Sequence, residues 1–183
     1  MLTSLSVLRS FIMDWSLQEL LNGLASKWYR LFSAERAERG DAGAQFNLGV
    51  RYDQGLGVLQ DFKEAAKWYR LSAEQGDNDA QYNLGQMYSN GLGVPQDYKE
   101  AVRLYRLSAE QGDAKAQSNL GNNYALGEGV PQDYVLAHMW FNISGSNGNK
   151  DAVTNRNIVE EKMSKQQIEK AQEMARNRKP TSK

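Results

Sequence analysis

The chain has no cysteine and a single histidine, His138. Without cysteine it forms no disulfide, no thiolate metal site and no cysteine nucleophile. One histidine cannot build a metal site from several imidazoles, and we expect neither a metal nor another cofactor. As a general base, His138 would need a nucleophile and an orienting acid nearby. It falls instead where the repeats described below hold Ala66 and Val102, which predicts a packed histidine.

The chain also lacks an excess of charge and a long apolar run. Lysine and arginine number 22 and aspartate and glutamate 22, so the formal net charge is zero. Nucleic-acid-binding proteins normally show a basic excess on one face, so we expect no nucleic-acid partner. No segment reaches the roughly 18 apolar residues that a membrane helix needs.

The N-terminus is apolar at Leu5, Leu8 and Phe11, but Arg9 and Asp14 interrupt it and no basic region precedes it. A signal peptide normally begins with such a basic region. We therefore expect a cytoplasmic protein and regard a periplasmic or secreted one as the less favoured alternative. Residues 2–13 have helical apolar spacing, which is typical of a cap on the first repeat; a membrane-surface or partner-binding helix is the alternative.

The dominant feature that is present is an internal repeat. The segment from Gly76 to Gln111 recurs 36 residues earlier, from Gly40, and 36 residues later, from Gly112. A fourth copy begins at Gly148 and soon loses the pattern. A fixed period of this length indicates stacked repeats, each of which is one supersecondary unit.

Each unit contains the start and stop signals of two helices. Asp77 is placed to cap a helix over about residues 78–90, and Gly91 to end it. Asp97 is placed to cap a second helix, with Glu100 predicted to complete a capping box. The recurring Gly-x-Gly turns, such as the one at Gly91, lack the Lys-Ser/Thr of a phosphate-binding loop and are predicted to be inter-helix turns.

The helical period of 3.6 residues sorts each helix into a buried and a solvated face. One such helix pair cannot cover its own apolar faces, so the pairs must stack. The predicted fold is therefore all-α, a solenoid of antiparallel helix pairs with a 36-residue period. Gly85 is expected to let the paired backbones approach closely. The predicted buried residues are Ala80, Leu84 and Tyr88 on the first helix and, on the second, Ala65, Tyr69 and Ala73, with Trp68 alongside them.

Four segments of the repeat resemble the Sel-like repeat family, relatives of the tetratricopeptide repeat. They are the Ala-Gln-Tyr-Asn-Leu-Gly run from Ala80 to Gly85, Tyr88, the Gly-x-Gly-Val-x-Gln-Asp turn from Gly91 to Asp97, and the Ala-Glu-Gln-Gly ending from Ala109 to Gly112. The resemblance implies that the solenoid is a right-handed α/α superhelix. It also implies that the protein binds other proteins as an adaptor or regulator. It implies no enzyme, because the family shares no active site. The fourth copy lacks the Gly-x-Gly-Val turn, and residues 1–39 match only in fragments.

The chain is predicted to form one domain of capped repeats. Val135 and Met139 are apolar where earlier repeats hold charge, and Ile168 and Met174 are the nearest apolar set able to cover them. A partner surface at Met139 is the alternative to this intramolecular cover. The predicted parts are an N-terminal helical cap with a degenerate half-repeat (1–39), three repeats (40–75, 76–111, 112–147), a degenerate fourth repeat with a C-terminal capping helix (148–177), and a disordered tail (178–183).

The predicted partner site is the face of the first helices opposite their buried stripe. Asparagine recurs there at positions 47, 83 and 119, while neighbouring positions change from repeat to repeat. Such a row could hydrogen-bond the backbone of an extended peptide in a concave groove while the varied neighbours select its side chains. Alternatively, each asparagine bonds a neighbouring helix or turn. The groove residues are Phe46, Asn47, Val50, Tyr82, Asn83, Gln86, Asn119 and Asn122.

Three functions follow from this pattern. The favoured one is a non-enzymatic module that binds an unidentified protein or peptide segment in the groove. The second is an enzyme or small-ligand-binding protein on the same fold, and the third is a structural spacer in a larger assembly. Exposed solenoid ends would also allow the chain to associate with itself.

Overall fold

A computed structural model describes residues 33–178, and within these residues the fold is helical without strands. Successive helices pack on one another from α1 to α7, and α8 packs on α6. The predicted all-α solenoid is confirmed. Residues 33–38 are also helical, and the rest of the predicted N-terminal cap lies outside the described residues. The helices are α1 (Ala42–Gln54), α2 (Phe62–Glu74), α3 (Asn78–Asn90), α4 (Tyr98–Glu110), α5 (Ala114–Leu126), α6 (Tyr134–Ser146), α7 (Lys150–Glu160) and α8 (Lys165–Asn177).

The ends of the first helices follow the sequence signals. The Asp77 carboxylate accepts a hydrogen bond from the Ala80 backbone N–H at 2.8 Å, which satisfies one donor of the first turn of α3. At the other end Gly91 has φ 68°, the left-handed conformation that glycine adopts without steric cost. Asp41 and Asp113 cap α1 and α5 in the same way.

The predicted capping box at Asp97 and Glu100 is wrong in its second half. The Asp97 carboxylate accepts from the backbone N–H groups of Lys99 and Glu100, at 2.9 and 3.1 Å. The Glu100 carboxylate instead accepts from the Arg103 guanidinium at 2.8 and 2.7 Å. The backbone N–H of Asp97 is not available to it, because that group already donates to the Tyr88 carbonyl at 2.9 Å. A complete capping box is present at the start of α8, between Ser164 and Gln167.

The glycine within each first helix makes room for an aromatic ring. A Cβ atom on Gly85 would lie 2.8 Å from a ring carbon of Tyr105. The expectation that Gly85 admits the partner backbone is therefore wrong. Close backbone approach occurs in the turns, where a Cβ on Gly93 would collide with the carbonyl of Phe62 in the preceding repeat. That contact sets the spacing between repeats.

The core lies between the two helix layers, as the helical period predicts. Ala65 and Tyr69 on α2, and Ala80 and Leu84 on α3, are at most 2 % exposed. The opposite line of α2, which carries the charged residues Lys63, Lys67, Arg70 and Glu74, is exposed. Tyr88 is only half-buried, and it touches the apolar clusters of two successive repeats.

A buried glutamine in each first helix ties three helices together. Gln81 is 4 % exposed, and its side-chain amide donates to the Ala73 carbonyl at 3.2 Å. Its side-chain oxygen accepts from Gln111 at 2.9 Å. Gln45 and Gln117 make the same pair of bonds in their repeats. Because a buried polar group is costly unless it is bonded, this bridge fixes how α2, α3 and α4 meet.

The apolar outer face of α6 lies under α8. Met174 and Ala175 pack against the cluster that contains Met139 and Trp140, which are 2 % and 3 % exposed. Arg178, predicted to belong to a disordered tail, is held in place. Its guanidinium lies 4.0 Å from the centroid of the Trp140 ring and 3.2 Å from the Glu110 carboxylate. The tail prediction is wrong at this residue because a cation–π contact and an ion pair act on it together.

Candidate functional site

The face predicted to bind a partner is carried by α1, α3 and α5, and α7 continues it. Asn155 lies 36 residues after Asn119, so it is the fourth member of the asparagine row. The predicted groove does not include this residue, because the fourth copy lacks the Gly-x-Gly-Val turn that identifies the other repeats. The signal was present in the sequence, since the 36-residue spacing itself continues.

The first set of polar contacts on this face centres on Tyr69. Its hydroxyl donates to the Asp53 carboxylate at 3.3 Å, and the Asn83 side chain hydrogen-bonds the same hydroxyl. Burial is the main cause that raises the pKa of Tyr69, and the negative charge of Asp53 adds to it. Asn83 therefore has a partner within the chain.

The second set centres on Tyr105, one repeat later. The side chains of Ser89 and Asn119 hydrogen-bond its hydroxyl, and burial raises its pKa to about 12. Asn119 also bonds the hydroxyl of Tyr82, which accepts from the Gln86 side-chain amide at 2.9 Å. Burial, with the charge of Asp113 second, raises the pKa of Tyr82. These phenols stay protonated at neutral pH, so they act as hydrogen-bonding groups.

The aromatic members of the predicted groove are half-buried. The Phe46 ring lies 5.9 Å from that of Tyr69, and the Tyr82 ring lies 6.1 Å from that of Tyr105. Val50 is half-buried against the core, whereas Asn47 is exposed. The face thus presents aromatic edges and amide groups on a packed base.

The third set, between α5, α6 and α7, has lost its polar centre. Phe141 stands at the position of Tyr105, and Ala125 at that of Ser89. Asn155 donates to the Asn122 side-chain oxygen at 3.2 Å instead. A pocket of about 160 Å³ lies here. It is lined by Asn122, Ala125, Leu126, Tyr134, Phe141, Asn155, Ile158, Val159 and Lys162.

Another cleft, of about 590 Å³, lies on the side of the second helices, under the end of α8. Its lining includes Trp140, Asn147 and Arg178. Several of its polar groups already have partners, since Asn147 donates to Gln117 at 2.9 Å and Arg178 pairs with Glu110. The Arg178–Glu110 pair attaches the C-terminal segment to α4.

His138 is fully buried, as the sequence predicts for a packed histidine. Its Nε2 atom lies 2.7 Å from the Glu160 carboxylate, which links α6 to α7. Across residues 33–178 no three histidine, aspartate or glutamate side chains converge as a metal site would require. In the same part of the chain no helix combines the length and apolarity needed to cross a membrane.

Comparison with known proteins gives one family and a set of similar folds. The family model described as "Sel1 repeat" matches residues 42–77, 78–113 and 114–149. A Sel1 repeat protein from Oxalobacter formigenes is 36% identical over 66% of this chain and 49% of its own, with a TM-score of 0.63. A protective antigen present in uropathogenic Escherichia coli strains, which displays an SLR fold, is 31% identical over 83% of this chain and 40% of its own, with a TM-score of 0.64.

The chain thus spans less than half the length of either structure. No curated protein matches it.

Proposed function

Because this chain belongs to the Sel1 repeat family, whose solenoid fold generally mediates contacts between proteins, we propose that it is a non-enzymatic interaction module. A segment of the partner protein lies across the face of α1, α3, α5 and α7. The residues that contact it are the eight predicted from the sequence, from Phe46 to Asn122, together with Asn155.

The observation that carries this proposal is a constant frame with varied neighbours. The asparagine row recurs at a fixed spacing, and the aromatic residues Tyr69, Tyr105 and Phe141 lie beneath it at the same spacing. One position beside the row changes through Val50, Gln86, Asn122 and Ile158 in four successive first helices. A shared frame with unlike side chains fits recognition of an extended segment, in which each repeat contacts a different residue.

Site-specific photo-crosslinking tests this function in the cells that express the chain. A photoreactive amino acid at Asn47, which is exposed on this face, is expected to form an adduct of discrete mass with one partner. The matched control carries the same amino acid at Lys67, which is exposed on α2. Adducts of equal yield from both positions, or from Lys67 alone, would show that the partner does not use this face.

A further inference from the structure

We propose that the pocket between α5, α6 and α7 holds one aliphatic side chain of the bound segment, with a neighbouring carboxylate of that segment on Lys162. This inference rests on the proposed function, because it assigns the pocket to a partner that lies across the same face.

The first step is the comparison of three equivalent sets of side chains. In the first two sets a tyrosine hydroxyl is bonded on one side by a polar residue of the first helix and on the other by an asparagine of the next repeat. The third set replaces both the hydroxyl and the polar residue with hydrocarbon. The sets are Asp53, Tyr69 and Asn83; Ser89, Tyr105 and Asn119; and Ala125, Phe141 and Asn155.

The second step is the size and lining of the space that results. The pocket holds about 160 Å³ and has Phe141 and Val159 among its walls. Pockets for drug-sized ligands enclose roughly 300–1,000 Å³, so this one suits a single side chain. Leu126 and Ile158 stand beside it with 65% and 51% of their surfaces exposed. An aliphatic side chain inserted here would remove that apolar surface from water.

The third step is the polar rim, which fits the main chain of a peptide. Asn122 and Asn155 bond each other through one donor and one acceptor at 3.2 Å. Each amide group has two donor hydrogens and an oxygen with two acceptor sites, so capacity remains for backbone groups of a bound segment. In the earlier repeats the same row bonds tyrosine hydroxyls instead, as Asn83 does with Tyr69 and Asn119 with Tyr105.

The fourth step is charge. Lys162 is exposed at the pocket, with its ammonium group 5.5 Å from the centroid of the Tyr134 ring. In the preceding repeat the equivalent position is Leu126, so the cation is particular to this end of the face. An ammonium group beside an apolar pocket favours an aliphatic residue with a carboxylate next to it.

N-acetyl-leucine is the smallest probe that combines these features, since it carries an aliphatic side chain, an amide and a carboxylate. Titration followed by methyl NMR is expected to shift Ala125, Leu126, Ile158 and Val159 together. N-acetyl-alanine is expected to bind at least about tenfold more weakly, and N-acetyl-leucinamide severalfold more weakly because it lacks the carboxylate. Equal shifts with all three probes, or shifts at the Val50 methyl groups of the first repeat only, would overturn the pocket assignment.

Two variants alter the pocket itself. Ala125→Ser combined with Phe141→Tyr rebuilds the second set in the third position and is expected to abolish the N-acetyl-leucine shifts while helicity is retained. Ala125→Leu fills the pocket directly and keeps the test valid if the first variant fails to fold. The control Ser89→Ala, in the second set, should leave the shifts unchanged. Persistence of the shifts in both folded pocket variants would refute the pocket.

The crosslink at Asn47 separates this inference from the function on which it rests. We expect Ala125→Leu to weaken the adduct at least about tenfold. An adduct that survives Ala125→Leu undiminished would retain the interaction face and overturn the pocket. If the chain with the photoreactive amino acid at Asn47 and the natural Ala125 forms no adduct, the interaction face itself is rejected.

Discussion

At the scale of single residues, the recurring first-helix glycine and the aromatic residue on the second helix form one unit. Gly49, Gly85 and Gly121 each lie beneath the ring of the second helix in the same repeat. Because the ring occupies the space where a Cβ atom would be, the two positions cannot vary independently. The helical spacing of Gly85 placed it correctly on the buried face, but spacing alone does not tell whether a ring or a backbone fills the gap.

Gly85→Leu is expected to destabilise the fold by about 2–4 kcal/mol, because the new side chain must displace the Tyr105 ring from a packed core. Lys67→Ala, on the exposed line of α2, should change the free energy of unfolding by less than about 0.5 kcal/mol. The midpoints of urea unfolding compare the two variants. Similar midpoints for both would show that the assignment of helix faces is wrong.

Gln81→Leu is expected to cost about 1–3 kcal/mol, because it leaves the buried Ala73 carbonyl and the Gln111 amide without a partner. Gln166→Ala is the control, since Gln166 is exposed on α8. Thermal unfolding monitored by circular dichroism measures both variants. A Gln81 variant as stable as the control would mean that the bridge contributes nothing to the fold.

The buried phenol of Tyr105 predicts a loss of stability at alkaline pH. Its pKa in the fold is raised to about 12, above the ordinary value of 10.0, so the protonated form is favoured by folding. The stabilisation is complete below pH about 10 and is lost as pH rises towards 12, because the unfolded chain there binds fewer protons. The free energy of unfolding measured from pH 9 to 12 should fall, and less steeply in Tyr105→Phe. Equal slopes would contradict this assignment.

At the scale of helices, the sequence predicted positions better than it predicted contacts. The helix α3 begins after Asp77 and ends before Gly91, as expected, because cap signals act within a few residues. The Glu100 side chain was misassigned because its expected partner, the Asp97 N–H, is taken by Tyr88 of the preceding helix. The Gln81 bridge could not be predicted from helix spacing, since it joins different helices. The Asn83 bond to Tyr69 agrees with the alternative stated for the asparagine row, a bond to a neighbouring helix, although the sequence did not name the partner. Asn155 could have been found by continuing the 36-residue count.

Deletion of Ser164–Lys183 is expected to make the protein self-associate, because Met139 and Trp140 lose the cover that α8 gives them. Sedimentation velocity or multi-angle light scattering would detect the larger species. Deletion of residues 179–183 alone is the control, as it keeps α8 and the Arg178 contacts. A protein that remains monomeric and equally stable without α8 would show that this helix is dispensable.

At the scale of the whole molecule, the layer of first helices and the layer of second helices have different roles. The second helices supply the rings and the attachment site of the C-terminal segment, and the first helices present the face proposed for the partner. Contacts between repeats pass through the glycine turns, the glutamine bridges and the Asn–Tyr bonds, so each repeat is positioned by its neighbours. The contacts that join successive repeats therefore also position the side chains of the face proposed for the partner.

The double variant Phe46→Ala, Tyr82→Ala is nevertheless expected to lose partner binding while it keeps the fold. Both rings are half-buried, so we expect each substitution to cost about 1–2 kcal/mol, below the value for a fully buried ring. Helicity should be retained, while the crosslink at Asn47 should fall at least tenfold because aromatic anchors commonly dominate an interface. Trp68→Ala, which removes a half-buried ring from α2, is the matched control and should leave the adduct intact. If the folded double variant captures the same partner with undiminished yield, these two rings are not its anchors.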